Sequence, residues 1–245
     1  MKYSLIYIFV LLFVSCSQNL QDGNDCGRAR SWYYPVIPGT EEWKKLESNI
    51  EMVKACQIPE NVIFCLSTEE LINLCLKYPL LNDAWAFNFL DDGLDKLFND
   101  FNGIRELYKR KDLSGNLINQ YMDKIQLLSF LEDENSDLEK GQLMISISNL
   151  DALLSRVQLQ DNASDDLKEI LRNLVIGYEA ISMLGIDNRY LLQFNFFSRA
   201  NVIIKINEKY LKEIPQGKSN PVFIPQGANS ETADIINKIS YQLIK

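Results

Sequence analysis

From residue 40 onward, apolar residues recur every three or four positions, the spacing that places them on one face of an α-helix. Leu117, Ile118, Tyr121, Met122, Ile125 and Leu128 form one such stripe. Leu143, Met144, Ile147, Leu150, Leu153, Leu154 and Val157 form a longer one, long enough for two helices meeting near Ser148. Leu167, Ile170, Leu171, Leu174, Val175, Tyr178 and Ile181 give the best-defined amphipathic pattern, with Ser164 placed to cap it. A terminal helix begins at Asn229 or Ser230 and carries Ile235, Ile236, Ile239 and Leu243 on one side.

Helix-start signals mark the intervening chain. Thr40 followed by Glu41 and Glu42 predicts a helix with Trp43, Leu46, Ile50 and Val53 on one face and Pro59 at its break. Ser67-Thr68-Glu69-Glu70 is a capping box, and its helix stops before Pro79. One or two further helices cover residues 80–108, with Gly93 and Gly103 as terminators. Ser136 and Glu139 form a second capping box. Asp187 caps a helix to about Ala200, and another runs to Glu213. Pro215, Gly217, Pro221, Pro225 and Gly227 then mark a loop in which Val222-Phe223-Ile224 is extended. Strand alternation is scarcely visible.

The pattern predicts an all-α fold, either a multi-helix bundle or a short α-solenoid of antiparallel helical hairpins. No repeat period emerges that would identify a solenoid family. Trp32-Tyr33-Tyr34-Pro35-Val36-Ile37-Pro38-Gly39 precedes the helices as an extended strap, because each proline restricts its predecessor to extended geometry. The organisation read from the chain is a leader over residues 1–15, a tether over 16–31, an N-terminal helical part over 32–111 and a C-terminal helical part over 112–245. The last two can equally be one domain, 32–245.

The leader stands apart from this periodicity. Lys2 precedes an uninterrupted apolar run over residues 5–14, too short to cross a bilayer but suited to the core of an export signal. Phe13-Val14-Ser15-Cys16 resembles a lipobox, with cleavage before Cys16 and lipid on its thiol. Cleavage without lipidation, giving a secreted or periplasmic protein, is the alternative. The polar residues 17–25 cannot bury enough surface to offset their ordering entropy, which suits a tether.

Composition narrows the function. The chain is 47% apolar and 24% charged, ordinary for a globular protein. Its net charge of −8 disfavours nucleic acid and anionic lipid as partners. It contains no histidine, which excludes His-dependent triads, His metal sites and imidazole switches. Besides Cys16, the cysteines are Cys26, Cys56, Cys65 and Cys75, enough for two disulfides but without metal-site spacing. Cys65 and Cys75 sit among apolar neighbours and read as small core residues.

Several segments carry a resemblance. Ile37-Pro38-Gly39-Thr40-Glu41-Glu42-Trp43, Cys56-Gln57-Ile58-Pro59-Glu60, Leu66-Ser67-Thr68-Glu69-Glu70-Leu71, Leu74-Cys75-Leu76-Lys77-Tyr78-Pro79-Leu80, Ala86-Phe87-Asn88 and Phe101-Asn102-Gly103-Ile104-Arg105-Glu106-Leu107 are similar to a set of uncharacterised helical lipoproteins of Bacteroidetes-type bacteria. The resemblance covers about residues 32–110. It implies an envelope location and a helical body, and it implies no activity.

Candidate chemistry is sparse. Asp91, Asp92 and Asp95 are the densest acids, with Asp91 and Asp95 on one helix face, and paired acids can cleave glycosides. Arg105 can grip a carboxylate or sulfate, although pairing with a local acid such as Asp100 is the plainer use. Trp32, Tyr33 and Tyr34, and Phe194, Phe196 and Phe197, are aromatic enough for partner or ligand contact, although a strap and a core are the more frequent uses of such residues. No cofactor or metal is expected. The reading is a lipid-anchored envelope protein, more a binding module than an enzyme, whose partner is another envelope protein or a glycan. The alternative is a small carboxylate-dependent hydrolase acting on glycan or peptidoglycan.

Overall fold

The computed structural model describes residues 26–27, 30–87, 90–130, 137–157, 164–183, 189–214 and 230–245. The leader, Cys16, the first part of the tether, Ser136, Asp187 and Val222-Phe223-Ile224 lie outside them. Among the described residues the protein is all-α, without a strand. No described helix is long and apolar enough to cross a membrane.

The N-terminal half is built from short helices: α1 Glu41–Lys44, α2 Asn49–Ala55, α3 Glu60–Cys65, α4 Thr68–Cys75, α5 Leu90–Asp100 and α6 Asn102–Leu107, with a 3-10 turn over Leu81–Ala86. Long helices follow: α7 Leu113–Ser129, α8 Asp137–Arg156, α9 Ser164–Ser182, α10 Arg189–Ile206 and α11 Ser230–Leu243, with a 3-10 turn over Glu208–Lys212 after α10.

Connectivity of the packing decides between solenoid and bundle. A solenoid unit touches only its neighbours in sequence. Here α7 packs on both α8 and α9, while α10 packs on both α8 and α9. The four therefore close a ring, and α11 covers α9 and α10. Helix α4 joins the N-terminal part to this ring through α7. One apolar core runs from Tyr34 to Ile239 across the division at residues 111 and 112.

Local chemistry sets the element boundaries. Ser67 accepts from the Glu70 amide, and the Glu70 carboxylate accepts from the Ser67 amide, so the capping box is complete. Thr40 caps α1 as its sequence suggests. The helix expected to continue through Val53 instead breaks, because Ser48 starts a second one by accepting from the Glu51 amide. The break rotates Ile50 outward, where it is 67% exposed.

Gly93 and Gly103 do not end helices; each lies within one. A Cβ on Gly93 would lie 2.1 Å from the Ala84 carbonyl oxygen, and one on Gly103 would lie 2.5 Å from the Phe101 ring. Both glycines permit close approach of neighbouring elements. The stripe through Ser148 forms one helix, in which the Ser148 hydroxyl donates back to the Met144 carbonyl. Helix α10 runs past Ala200 to Ile206, and only a 3-10 turn follows.

The strap carries no helix over residues 32–39 and lies on the body, but bends at Pro35 and Val36 and a turn at Pro38 and Gly39 keep it from running extended throughout. Tyr34 is buried beside Tyr78 and Phe101, and its hydroxyl donates to the Leu74 carbonyl at 3.1 Å. Cys65 is not a free core thiol, because it forms a disulfide with Cys26. Cys75 is free and buried as expected, and Cys56 is too. The Cys26 bond spans 39 residues, for which chain-entropy arguments give about 2–4 kcal/mol of stabilisation. It fastens to the body a residue that the sequence assigns to the tether.

Candidate functional site

The acids of α5 meet an arginine that their own segment does not reveal. Asp91 and Asp95 share a face, one turn apart, as their spacing predicts. Arg156, the last residue of α8, reaches both: Nη2 lies 2.7 Å from Asp91 Oδ1, and Nη1 lies 2.9 Å from Asp95 Oδ1. Nη2 also donates to the Asp91 carbonyl at 3.1 Å. Asp91 is largely buried, whereas Asp95 is mostly exposed. Asp92 is exposed in the first turn of α5, where an anion complements the helix dipole. The three acids do not converge on a shared reacting position. Two of them are the ends of an arginine clamp joining α5 to α8.

A second cation supports the clamp from behind. The Lys205 ammonium donates to the carbonyls of Ser155 and Val157 at 2.6 and 3.1 Å, satisfying groups left open where α8 ends. Burial, with Arg156 adding to it and Asp91 opposing, pushes its pKa down to about 8. The outer side of the clamp is an open cleft of about 350 Å³ lined by Asp95, Phe98, Asn99, Tyr108 and Arg156. The Phe98 and Tyr108 rings are 4.5 Å apart and tilted, and the Tyr108 hydroxyl donates to the Leu153 carbonyl.

A second cleft lies beside the strap, lined by residues that include Arg30, Trp32, Tyr33, Glu70, Asn73 and Lys77. Arg30 pairs with Glu70 at 3.4 Å. Tyr33 is 76% exposed and Trp32 half-buried, so these two remain available for contact. Tyr34 does not, because it belongs to the core.

No match to this chain is found among protein-family models, curated proteins or solved structures.

The remaining sequence candidates disperse. Arg105 does not pair with Asp100; it donates to the Asn99 carbonyl, and Lys96 pairs with Asp100. Phe196 and Phe197 are buried, while Phe194 is half-buried against Trp85 with ring centroids 4.4 Å apart. No group of acids and cysteines suited to a metal ion occurs among the described residues.

Sequence reasoning missed Arg156 and a polar centre inside the helical ring. Tyr121 from α7, Asp151 from α8, and Asn195 and Arg199 from α10 are each fully buried. Asn195 donates to the Tyr121 hydroxyl at 3.3 Å and to the Leu174 carbonyl at 2.9 Å. The Arg199 guanidinium lies 4.4 Å from the Tyr178 ring centroid and 4.8 Å from that of Phe196. Burial raises the Asp151 pKa well above the usual carboxylate range, against the opposing pull of Tyr121, Arg199 and Asn195. It pushes the Arg199 pKa down to about 10. The signal available in sequence was a lone cation within an uncharged run: Arg199 is the only charge between Tyr190 and Ile204.

Proposed function

We propose that this protein is an exported, lipid-anchored binding module of the bacterial envelope, held at the membrane through Cys16 and meeting its partner with the strap side of its helical body. The Cys26–Cys65 disulfide carries the reading. Disulfides persist in oxidising compartments and are rare in the cytosol. The bond lies ten residues beyond Cys16, so it ties the segment that leaves the anchor directly to the fold.

Binding rather than catalysis is favoured because Arg156 occupies both acids that a paired-carboxylate mechanism would use. The exposed ring of Tyr33, beside Trp32 and rimmed by Arg30, Glu70, Asn73 and Lys77, offers apolar area with polar groups at its margin. That is the composition of a contact site. The partner is another envelope protein or a glycan.

A photoreactive residue in place of Tyr33 in the full-length protein, irradiated in intact cells, tests this face. A discrete adduct is expected from position 33 and not from position 176, an exposed site on α9. Absence of any adduct from position 33, or equal labelling from both positions, contradicts the assignment.

A further inference from the structure

We propose that the cleft between α5 and the end of α8 binds a neutral oligosaccharide, with Asp95, Asn99 and Arg156 engaging hydroxyl groups and Phe98 and Tyr108 receiving the apolar face of a sugar ring. This gives a ligand class to the binding reading but does not depend on the lipid anchor or on the strap.

Three observations carry the proposal. The cleft, at about 350 Å³, falls within the range of small-ligand sites, about 300–1,000 Å³. Its polar groups are planar and mixed in kind. A carboxylate accepts, a guanidinium donates, and an amide does both. Adjacent sugar hydroxyls each donate and accept, so they match such a set better than an ion of one sign does. These groups stand beside two aromatic rings, whose faces accept C–H groups while their bulk excludes water.

Charge decides against an ionic ligand. Arg156 and Lys205 are balanced by Asp91 and Asp95, so the cleft offers no net charge to pair. The net charge of −8 on the whole chain also repels anions at a distance. The clamp fixes the site in advance: Arg156 is tied to two residues of α5, and Asp95 and Asn99 are one turn apart on that helix. The polar groups therefore lose little freedom when a ligand arrives.

Titration of the purified full-length protein with chitotriose, maltotriose, xylotriose and laminaritriose tests the proposal, read by calorimetry and saturation-transfer NMR. A heparin hexasaccharide serves as the anionic comparison. Saturable binding of at least one neutral trisaccharide is expected, weakened tenfold or more by Asn99→Ala and by Asp95→Asn and unchanged by Ile176→Ala, at an exposed site on α9. Asn99 is exposed, so its variant keeps the fold even if loss of the clamp in Asp95→Asn disturbs it. Failure of every neutral trisaccharide to bind overturns the proposal. So does preference for the anionic hexasaccharide, or binding lost in Tyr33→Ala and kept in Asn99→Ala. Each of these outcomes leaves the Tyr33 crosslinking result standing, so the two readings fail separately.

Discussion

Replacing Arg199 with Met is expected to destabilise the fold by about 2–4 kcal/mol, through loss of a desolvated cation held on two aromatic faces. The guanidinium is fully buried at the centre of the helical ring, against the faces of Tyr178 and Phe196 and in the field of Asp151. Met keeps the length and apolar bulk of the side chain but loses both ring contacts and the field that Arg199 exerts on Asp151. Adding Asp151→Leu removes the buried carboxyl as well, and the double variant is expected to return to within about 1 kcal/mol of the parent, because apolar side chains of similar shape replace buried polar groups at little cost. Urea midpoints of the two single variants and the double variant measure the coupling. A single variant within 1 kcal/mol of the parent would show that the polar centre carries no such energy.

The same centre predicts a pH effect of known sign. The Asp151 pKa is higher in the folded protein than in the unfolded chain. Its contribution is fully present below the ordinary carboxylate pKa of about 3.9 and is lost as pH rises toward the folded value. Asp151→Asn should remove this component, so the parent loses stability relative to the variant as pH climbs from 4 toward neutrality.

Gly93→Ala is the second large effect, expected at about 3 kcal/mol of destabilisation. In an open helix position this change gains up to about 1 kcal/mol, because alanine is the better helix former. At Gly93 the added methyl would sit 2.1 Å from the Ala84 carbonyl oxygen and 2.8 Å from its carbon. Both are backbone atoms of the 3-10 turn that packs on α5, so relief requires one element to move. Gly115 and Gly141 supply the comparison, since both are helical and neither has a neighbour within 4 Å of a built Cβ. Alanine at either position should stabilise by about 0.5–1 kcal/mol. Thermal or urea unfolding of the three variants reads the difference directly. Gly93→Ala as stable as Gly115→Ala would contradict the packing of α5 on the turn.

What was legible in the sequence was whatever a helix encodes within itself. Thr40 and the Ser67–Glu70 box act locally, so their caps could be read. Helices α7, α9 and α11 each show a buried face and a wet one, which leaves a periodic record. Helix α10 is enclosed across residues 195–200, and α8 across residues 147–155. With neighbours on all sides, polar residues such as Asp151, Asn195 and Arg199 lose any distinct face to mark them. The Ser48 cap carried a readable Ser-x-x-Glu signal that the apolar spacing of Leu46 and Ile50 obscured.

Glycines posed the opposite difficulty. Gly93 and Gly103 look alike whether they end a helix or admit a neighbour, because the distinguishing atom belongs to a residue elsewhere in the fold. The same holds at the candidate site. The spacing of Asp91 and Asp95 showed a shared face, but their partner lies about sixty residues away, on a helix whose orientation only packing determines. Cys65 read as apolar from its neighbours, while its bond to Cys26 depends on the strap crossing the body.

Intact-mass analysis of the protein extracted from its native membranes tests the anchor most directly. The account predicts a chain beginning at Cys16 with the added mass of acyl chains, and a Cys16→Ser variant that moves to the soluble fraction. A chain that retains residues 1–15, or one that carries an unmodified thiol at Cys16 and washes freely from the membrane, would contradict it.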